Sequence, residues 1–279
     1  MVRIFIACED RHHAFVAQWL VDEMVVGSID WLREFDLDPD QPAGFWKSDD
    51  RKTSGRLWAG RDEGEEWFDL HGWKDALADL KIGRRDLNLH GHVAGRPAGP
   101  DVKMVRACLL LAQHLAGADV AVIVRDVDTE PERCGALLQL REANLVPGLI
   151  AITGYAVPEV EAWFLAGFRA NSEDESDRIR QASQRLSFDP TREPHKLSSQ
   201  GHPPDRDAKD VFHEVLGASA TERDCWKRCM KGLLETVDDR GRGCGASSFL
   251  DSIRRDLLPW VHERLGGTGP RDAIPRANA

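Results

Sequence analysis

An α/β fold, a parallel sheet flanked by helices, is what this sequence predicts, and three observations predict it. Two apolar runs of strand length, Val2–Ala7 and Val120–Val124, are rich in β-branched residues, with Arg3 the one polar break. Such runs read as strands buried on both faces. A third short apolar run, Leu149–Thr153, follows a capped helical stretch. Strand and helix thus alternate through roughly the first 155 residues, the pattern of a parallel sheet with helical crossovers.

Each element has its own justification. After the first strand, a helix is expected over roughly Ala14–Val26, with Phe15, Trp19, Leu20 and Met24 on its apolar stripe. Ser28–Lys81 is rich in Trp, Asp, Glu and Gly, carries two Pro and three Asp between Asp36 and Pro42, and keeps no period. It reads as an insertion or lid of short irregular elements. Arg85–His92 alternates polar and apolar residues and predicts a strand, and Gly91–Gly99 a Gly/Pro loop. Pro100-Asp101 opens an apolar helix, Val102–Leu115.

Past Val124, Thr129-Glu130-Pro131-Glu132 is a capping-box sequence and predicts a helix to about Asn144. Pro158–Phe168 starts another. Ser172 with Glu175 caps a charged helix, Glu173 to about Leu186. Asp207–Leu216, Thr221–Val237 and Ser247–Leu265 are further helices. The expected organisation is an α/β core over 1–165 with an insertion at about 28–81, a helical subdomain over 166–265, and a disordered Gly/Pro/Arg tail over 266–279.

The chain has 279 residues, 42% hydrophobic and 30% charged, with a net charge of −10. That length buries a real core, while the acidity argues against a non-specific nucleic-acid coat. It leaves room for an enzyme with a local basic groove. No apolar run approaches the ~20 residues of a membrane span. The start of the chain reads as a strand, not a signal peptide. Six cysteines in a chain of this length do not make a disulfide framework, so a reducing cytoplasm is expected.

Chemistry is expected at the strand ends. Glu9 follows the first strand, and Asp126 and Asp128 follow the second. In an extended segment residues two apart face one side, so Asp126 and Asp128 can share an ion. Oxygen ligands at a sheet's C-terminal edge suit Mg²⁺ or Mn²⁺, and these suit phosphate chemistry. The plainer reading of any one of these acids is a strand end or a helix cap.

Farther on, Glu159 and Glu161 would lie about 200° apart on a helix, so only one could face a site there, whereas on an extended stretch both could. A first-turn role with the helix dipole competes evenly with ligation for Glu161 and is favoured for Glu159. Lys209, among Asp205, Asp207 and Asp210, suits either a phosphate contact or a surface ion pair, and the surface pair is favoured. His12, His13, His90 and His92 read as solvent-exposed. Cys225 and Cys229, with Cys244, have a spacing uncommon for structural zinc. Arg178, Arg180, Arg185, Arg240, Arg242, Arg254 and Arg255, interspersed with acids, read as a solvated surface.

With Glu9 and Asp126-Val127-Asp128 in place, residues 1–155 resemble the Toprim superfamily, the fold shared by type I and II topoisomerases, bacterial primases and overcoming-lysogenization-defect type nucleases. Where family members often carry Gly beside the Glu, this chain has Cys8 and Asp10. A closer resemblance is to small Toprim-like proteins of bacterial defence or toxin-like gene pairs, often beside an ABC/SMC-type ATPase. Its carriers are Pro158–Leu165, Asp207-Ala208-Lys209-Asp210 and Ser247-Ser248-Phe249. The resemblance implies Mg²⁺ or Mn²⁺ held by Glu9, Asp126, Asp128 and Glu161, with Lys209 catalytic. It also implies nucleic acid as substrate and an ATPase as partner.

The expected function is therefore a metal-dependent nuclease in which Glu9 is a ligand or general base. The alternative is a non-catalytic binding or regulatory subunit whose acids hold a structural ion. A nucleotidyl or phosphate transferase would share the metal logic, but no P-loop sequence occurs.

Overall fold

The computed structural model describes residues 1–36, 46–47, 55–81, 92–93, 96–97, 101–135, 146–199 and 203–265. The chain divides into two compact units. One comprises Met1–Ile123, Ala136–Thr153 and Asp251–Ala279, the other Val124–Gly135 and Gly154–Leu250. The expected end near Asn144 of the helix that starts at Arg133, the strand residues 85–91, and the tail 266–279 lie outside the described residues.

In the first unit, β1 (Val2–Cys8) is buried along its length except at Arg3, as its run of apolar residues demands. It pairs in parallel with β2 (Arg56–Ala59) and β3 (Phe68–Asp69) on one edge and with β6 (Val120–Asp126) on the other. The sheet order is β2-β1-β6-β7, with β7 spanning Ile150–Ala156 and β3 also on β1. The expected α/β fold with a parallel sheet is thus present. The segment read as an insertion or lid is corrected in part: β2 and β3 within it are sheet strands. The physical reason lies in an ion pair far apart in sequence. Arg56 donates to both oxygens of the buried Asp22, at 2.8 and 2.7 Å, and Trp46 Nε1 donates to the same carboxylate at 2.9 Å. A buried charge is kept only when paired and hydrogen-bonded, and this fork ties β2 to the helix behind it.

That helix, α1 (Arg11–Ser28), is capped by Asp10, whose carboxylate accepts from His12 and His13 N–H at 2.8 and 3.1 Å. Its buried face is broader than the expected stripe and shifted from it. Ala14, Ala17, Leu20 and Val21 are buried, while Phe15, Trp19 and Met24 are half-buried beside them. His13, read as exposed, is buried with Nδ1 2.8 Å from Asp10 Oδ1. The short α2 (Asp30–Asp36) and α3 (Trp73–Asp79) follow in the expected insertion. β4 (His92–Val93) and β5 (Arg96–Pro97) form an antiparallel pair within the expected Gly/Pro loop. α4 spans Val102–His114.

The second unit is helical. At its centre is α5 (Glu161–Gly167), with all seven residues buried. Around it lie α6 (Glu173–Leu186), α7 (Ala208–Leu216), α8 (Arg223–Arg240) and α9 (Ala246–Ser252), the last running on past Leu250. Past Leu250 the chain belongs to the first unit, where a π-turn, Ile253–Leu257, separates α9 from α10 (Leu258–Leu265) in the stretch expected to be one helix. The capping box at Ser172 forms as its sequence directs: Ser172 Oγ accepts from Glu175 N–H, and Glu175 reaches back to Asn171 N–H. Trp163 donates its indole N–H to Cys244 O at 2.6 Å and stacks on Phe249. Phe164 sits between Phe212 and Trp226.

α5 and α8 meet through two glycines. A Cβ on Gly167 would lie 1.8 Å from Cys229 O, and one on Gly232 would lie 2.1 Å from Gly167 O. Backbone cannot yield there as a flexible side chain can. Gly167→Ala is therefore expected to cost about 1–3 kcal/mol or more despite the ~1 kcal/mol that alanine gains in helix propensity. Thermal unfolding of the variant checks this: an unchanged or raised Tm would contradict the close crossing.

Candidate metal centre

β6 ends at Asp126, and the chain then turns. Val127 N–H donates to Ala156 O at 2.8 Å, Asp128 N–H to Pro158 O at 2.9 Å, and Asp128 takes a left-handed φ of +52°. Asp126 and Asp128 are thus brought together by a tight turn, not by the alternation of an extended strand expected from their spacing. Left-handed geometry is tolerated best by Gly, Asn and Asp, so an aspartate fits this position at small cost.

The partner segment comes from residues 158–160, just before α5. Val160 N–H donates to Asp126 Oδ1 at 2.8 Å and fixes that carboxylate. The same turn brings Glu159 in. One carboxylate oxygen from each of Asp126, Asp128 and Glu159 lies within 4.8 Å of the others. Three acids so close repel one another unless a cation or a proton intervenes. The cluster is enclosed, with Asp126 5% and Glu159 3% exposed. Burial and the neighbouring Glu161, Asp126 and Asp207 push the Glu159 carboxyl up to about 7, against the pull of Lys209.

Two cations offset part of the charge. Arg133 donates to Asp128 Oδ2 at 2.6 Å and also grips Glu130. Lys209 Nζ lies 3.5 Å from Glu159 Oε1. Burial lowers the Lys209 ammonium's pKa, but Glu159, Glu161 and Asp126 outweigh it and leave it raised. Lys209 reaches this point because Asp207 caps α7, accepting from Lys209 and Asp210 N–H at 3.1 and 3.2 Å. The surface pair with neighbouring aspartates expected for Lys209 gives way to a pair with a buried glutamate.

Among the described residues, the other oxygen of Glu159, Oε2, is buried with no hydrogen-bond partner. A buried carboxylate oxygen left so is costly, and coordination of a cation would satisfy it. The donor set is oxygen only, which suits a hard divalent ion. The residues present can therefore bind a metal ion.

Two further expected site residues are not among these three acids. Glu161 is buried in the first turn of α5 and is not one of the three clustered acids; the member from this segment is Glu159, for which a first-turn role competed in the sequence. The side-chain parity of a strand or a helix does not apply to Glu159, which sits in the turn between the two. Glu9 follows β1 in the first unit, whereas the three clustered acids belong to the second.

Cys225, Cys229 and Cys244 are buried free thiols. A hydrogen bond from Cys229, together with Arg228, holds Cys225 down to about 7, while Cys244 is pushed up to about 11 by burial. Of the seven arginines expected on a solvated surface, Arg178 binds backbone and four form solvent-exposed ion pairs. Arg178 donates to the Val215 and Leu216 carbonyls, and Arg180, Arg185, Arg254 and Arg255 pair with Asp177, Glu214, Asp251 and Asp256. Among the described residues, no helix is long and apolar enough to cross a membrane. No protein-family model, curated protein or solved structure matches the chain.

Proposed function

We propose that Asp126, Asp128 and Glu159 hold a divalent cation, Mg²⁺ or Mn²⁺, and that the protein is a metal-dependent phosphodiesterase acting on nucleic acid. The observation that carries this reading is the enclosed trio of carboxylates with one glutamate oxygen left unsatisfied. Bound there, such an ion would supply Lewis-acid chemistry suited to phosphodiester hydrolysis. The chain supplies the rest. Val160 N–H and Arg133 hold the two aspartates in place. Lys209, half-exposed at the cluster's edge, offers a positive charge to the phosphate as negative charge develops on it.

The second reading is a regulatory subunit whose acids hold a structural ion, favoured by the near-complete burial of Asp126 and Glu159. One experiment separates the two. Purified protein is titrated with Mn²⁺ by calorimetry and incubated with single- and double-stranded DNA and RNA, in Mn²⁺ or in EDTA. Binding with cleavage that EDTA abolishes is the expected result. Binding without cleavage would select the structural ion, and no binding would remove both.

A further inference from the structure

We propose that Phe188, Lys196 and Arg206 form a platform for a single-stranded nucleic acid beside the carboxylate cluster, an inference that rests on the phosphodiesterase reading above. All three belong to the second unit. Phe188 is half-buried just past α6, with Lys196 Nζ 5.8 Å and the Arg206 guanidinium carbon 5.6 Å from its ring centroid. An aromatic face holds a cation in place at this range. Two cations on one ring repel each other, and an anion between or across them relieves that repulsion.

The charges on this strip are available. Among the described residues, no carboxylate pairs with Arg206. Lys196 pairs with the partly exposed Glu193 three residues earlier, a kind of contact that contributes little and that a phosphate can displace. Arg192, 72% exposed, adds a third cation, with Asp189 3.6 Å away.

Backbone geometry joins the platform to the cluster. Ser198 N–H donates to Arg206 O at 2.8 Å, and Ala208 N–H donates to Ser198 O at 2.9 Å, forming a parallel bridge between Ser198 and Asp207. The Lys196 and Arg206 segments are therefore one piece of backbone. Three residues past Arg206, Lys209 reaches Glu159. A chain of net charge −10 repels a polyanion in general, so a local cationic strip is what admits one. Guanidinium and ring faces favour unpaired bases, which expose their own faces, over a duplex, which hides them.

The test measures binding apart from cleavage. Fluorescence anisotropy follows labelled oligothymidylate and oligouridylate of about 12 nucleotides with the full chain in EDTA, across a salt series. The Lys196→Ala/Arg206→Ala double variant is expected to bind ~10-fold more weakly. Its slope of log affinity against log salt should fall by about 1.4, at ~0.7 for each phosphate that the protein no longer neutralises. Phe188→Leu keeps an apolar side chain but removes the ring, and should weaken binding with little change in slope.

The two nucleotide arms tell DNA from RNA, and binding of either that weakens in this way supports the platform. No binding by the wild-type chain, a double variant within about twofold of it at the same slope, or equal competition by polyglutamate of similar length would overturn it. Hydrolysis of bis-p-nitrophenyl phosphate with Mn²⁺ reports the carboxylate cluster alone. If that activity is present and the binding contrast absent, the platform fails by itself. If the contrast is present and the activity absent, the phosphodiesterase reading fails and the platform stands.

Discussion

Asp126→Ala will abolish both divalent-ion binding at the carboxylate cluster and any cleavage that depends on it. Asp126 is the member most firmly placed: it ends β6, is 5% exposed, and accepts the Val160 N–H at 2.8 Å. Changes to groups that merely orient ligands cost 10–100-fold in affinity or activity, so removal of a ligand should cost at least ~100-fold. Alanine also orphans the Val160 N–H, at about 1–3 kcal/mol of stability. Asp126→Asn keeps an acceptor for that N–H while removing the charge, so it separates loss of the ion from loss of the fold. Calorimetric Mn²⁺ titration and a cleavage assay on both variants, with melting curves alongside, check this. An Asp126→Asn protein that binds Mn²⁺ and cleaves as the wild type does would remove the site. Glu9→Ala is the companion measurement. If Asp126, Asp128 and Glu159 suffice for the ion, Mn²⁺ affinity survives the change.

What the sequence disclosed and what it hid follow one physical line. β1 and β6 are buried on both faces, so their apolar runs are nearly unbroken and visible without any partner. The caps at Ser172 and Asp207 are local chemistry, and both form where their residues stand. β2 and β3 have four and two residues, too few to show a period. Their place in the sheet depends on Asp22 meeting Arg56 across 34 positions, which no local pattern announces.

The site divides in the same way. Asp126 and Asp128 are legible as acids after a buried strand, although the turn that joins them is not. Choosing between Glu159 and Glu161 needs the start of α5, and that start is set by a distant contact, the Val160 N–H on Asp126. The sequence neighbours of Lys209 point to a surface pair, whereas the Asp207 cap and the course of α7 direct it to Glu159.

Glu159→Gln should make the metal-free protein more stable at pH 8 while removing its response to Mn²⁺. In the unfolded chain this carboxyl titrates near 4.5, and in the folded protein burial and neighbouring acids raise it to about 7. Between those values the folded form carries a proton that the unfolded form has lost. Stability must then fall as pH rises through that window. Below about pH 4.5 the contribution is fully present; above about 7 it is gone, and a buried, under-compensated charge remains in the absence of an ion. Glutamine keeps the shape and removes the titration, so the decline should flatten in the variant. In wild-type protein the ion takes the proton's place. Saturating Mn²⁺ at ~100 times Kd should restore about 2.7 kcal/mol at pH 8, and Mn²⁺ affinity should weaken as pH drops below about 7 and protons compete. Melting curves from pH 5 to 8, with EDTA and with Mn²⁺, measure every part of this. Parallel pH profiles for the two proteins in EDTA, or an undiminished Mn²⁺ shift in the variant, would show that Glu159 neither titrates in this window nor holds the ion.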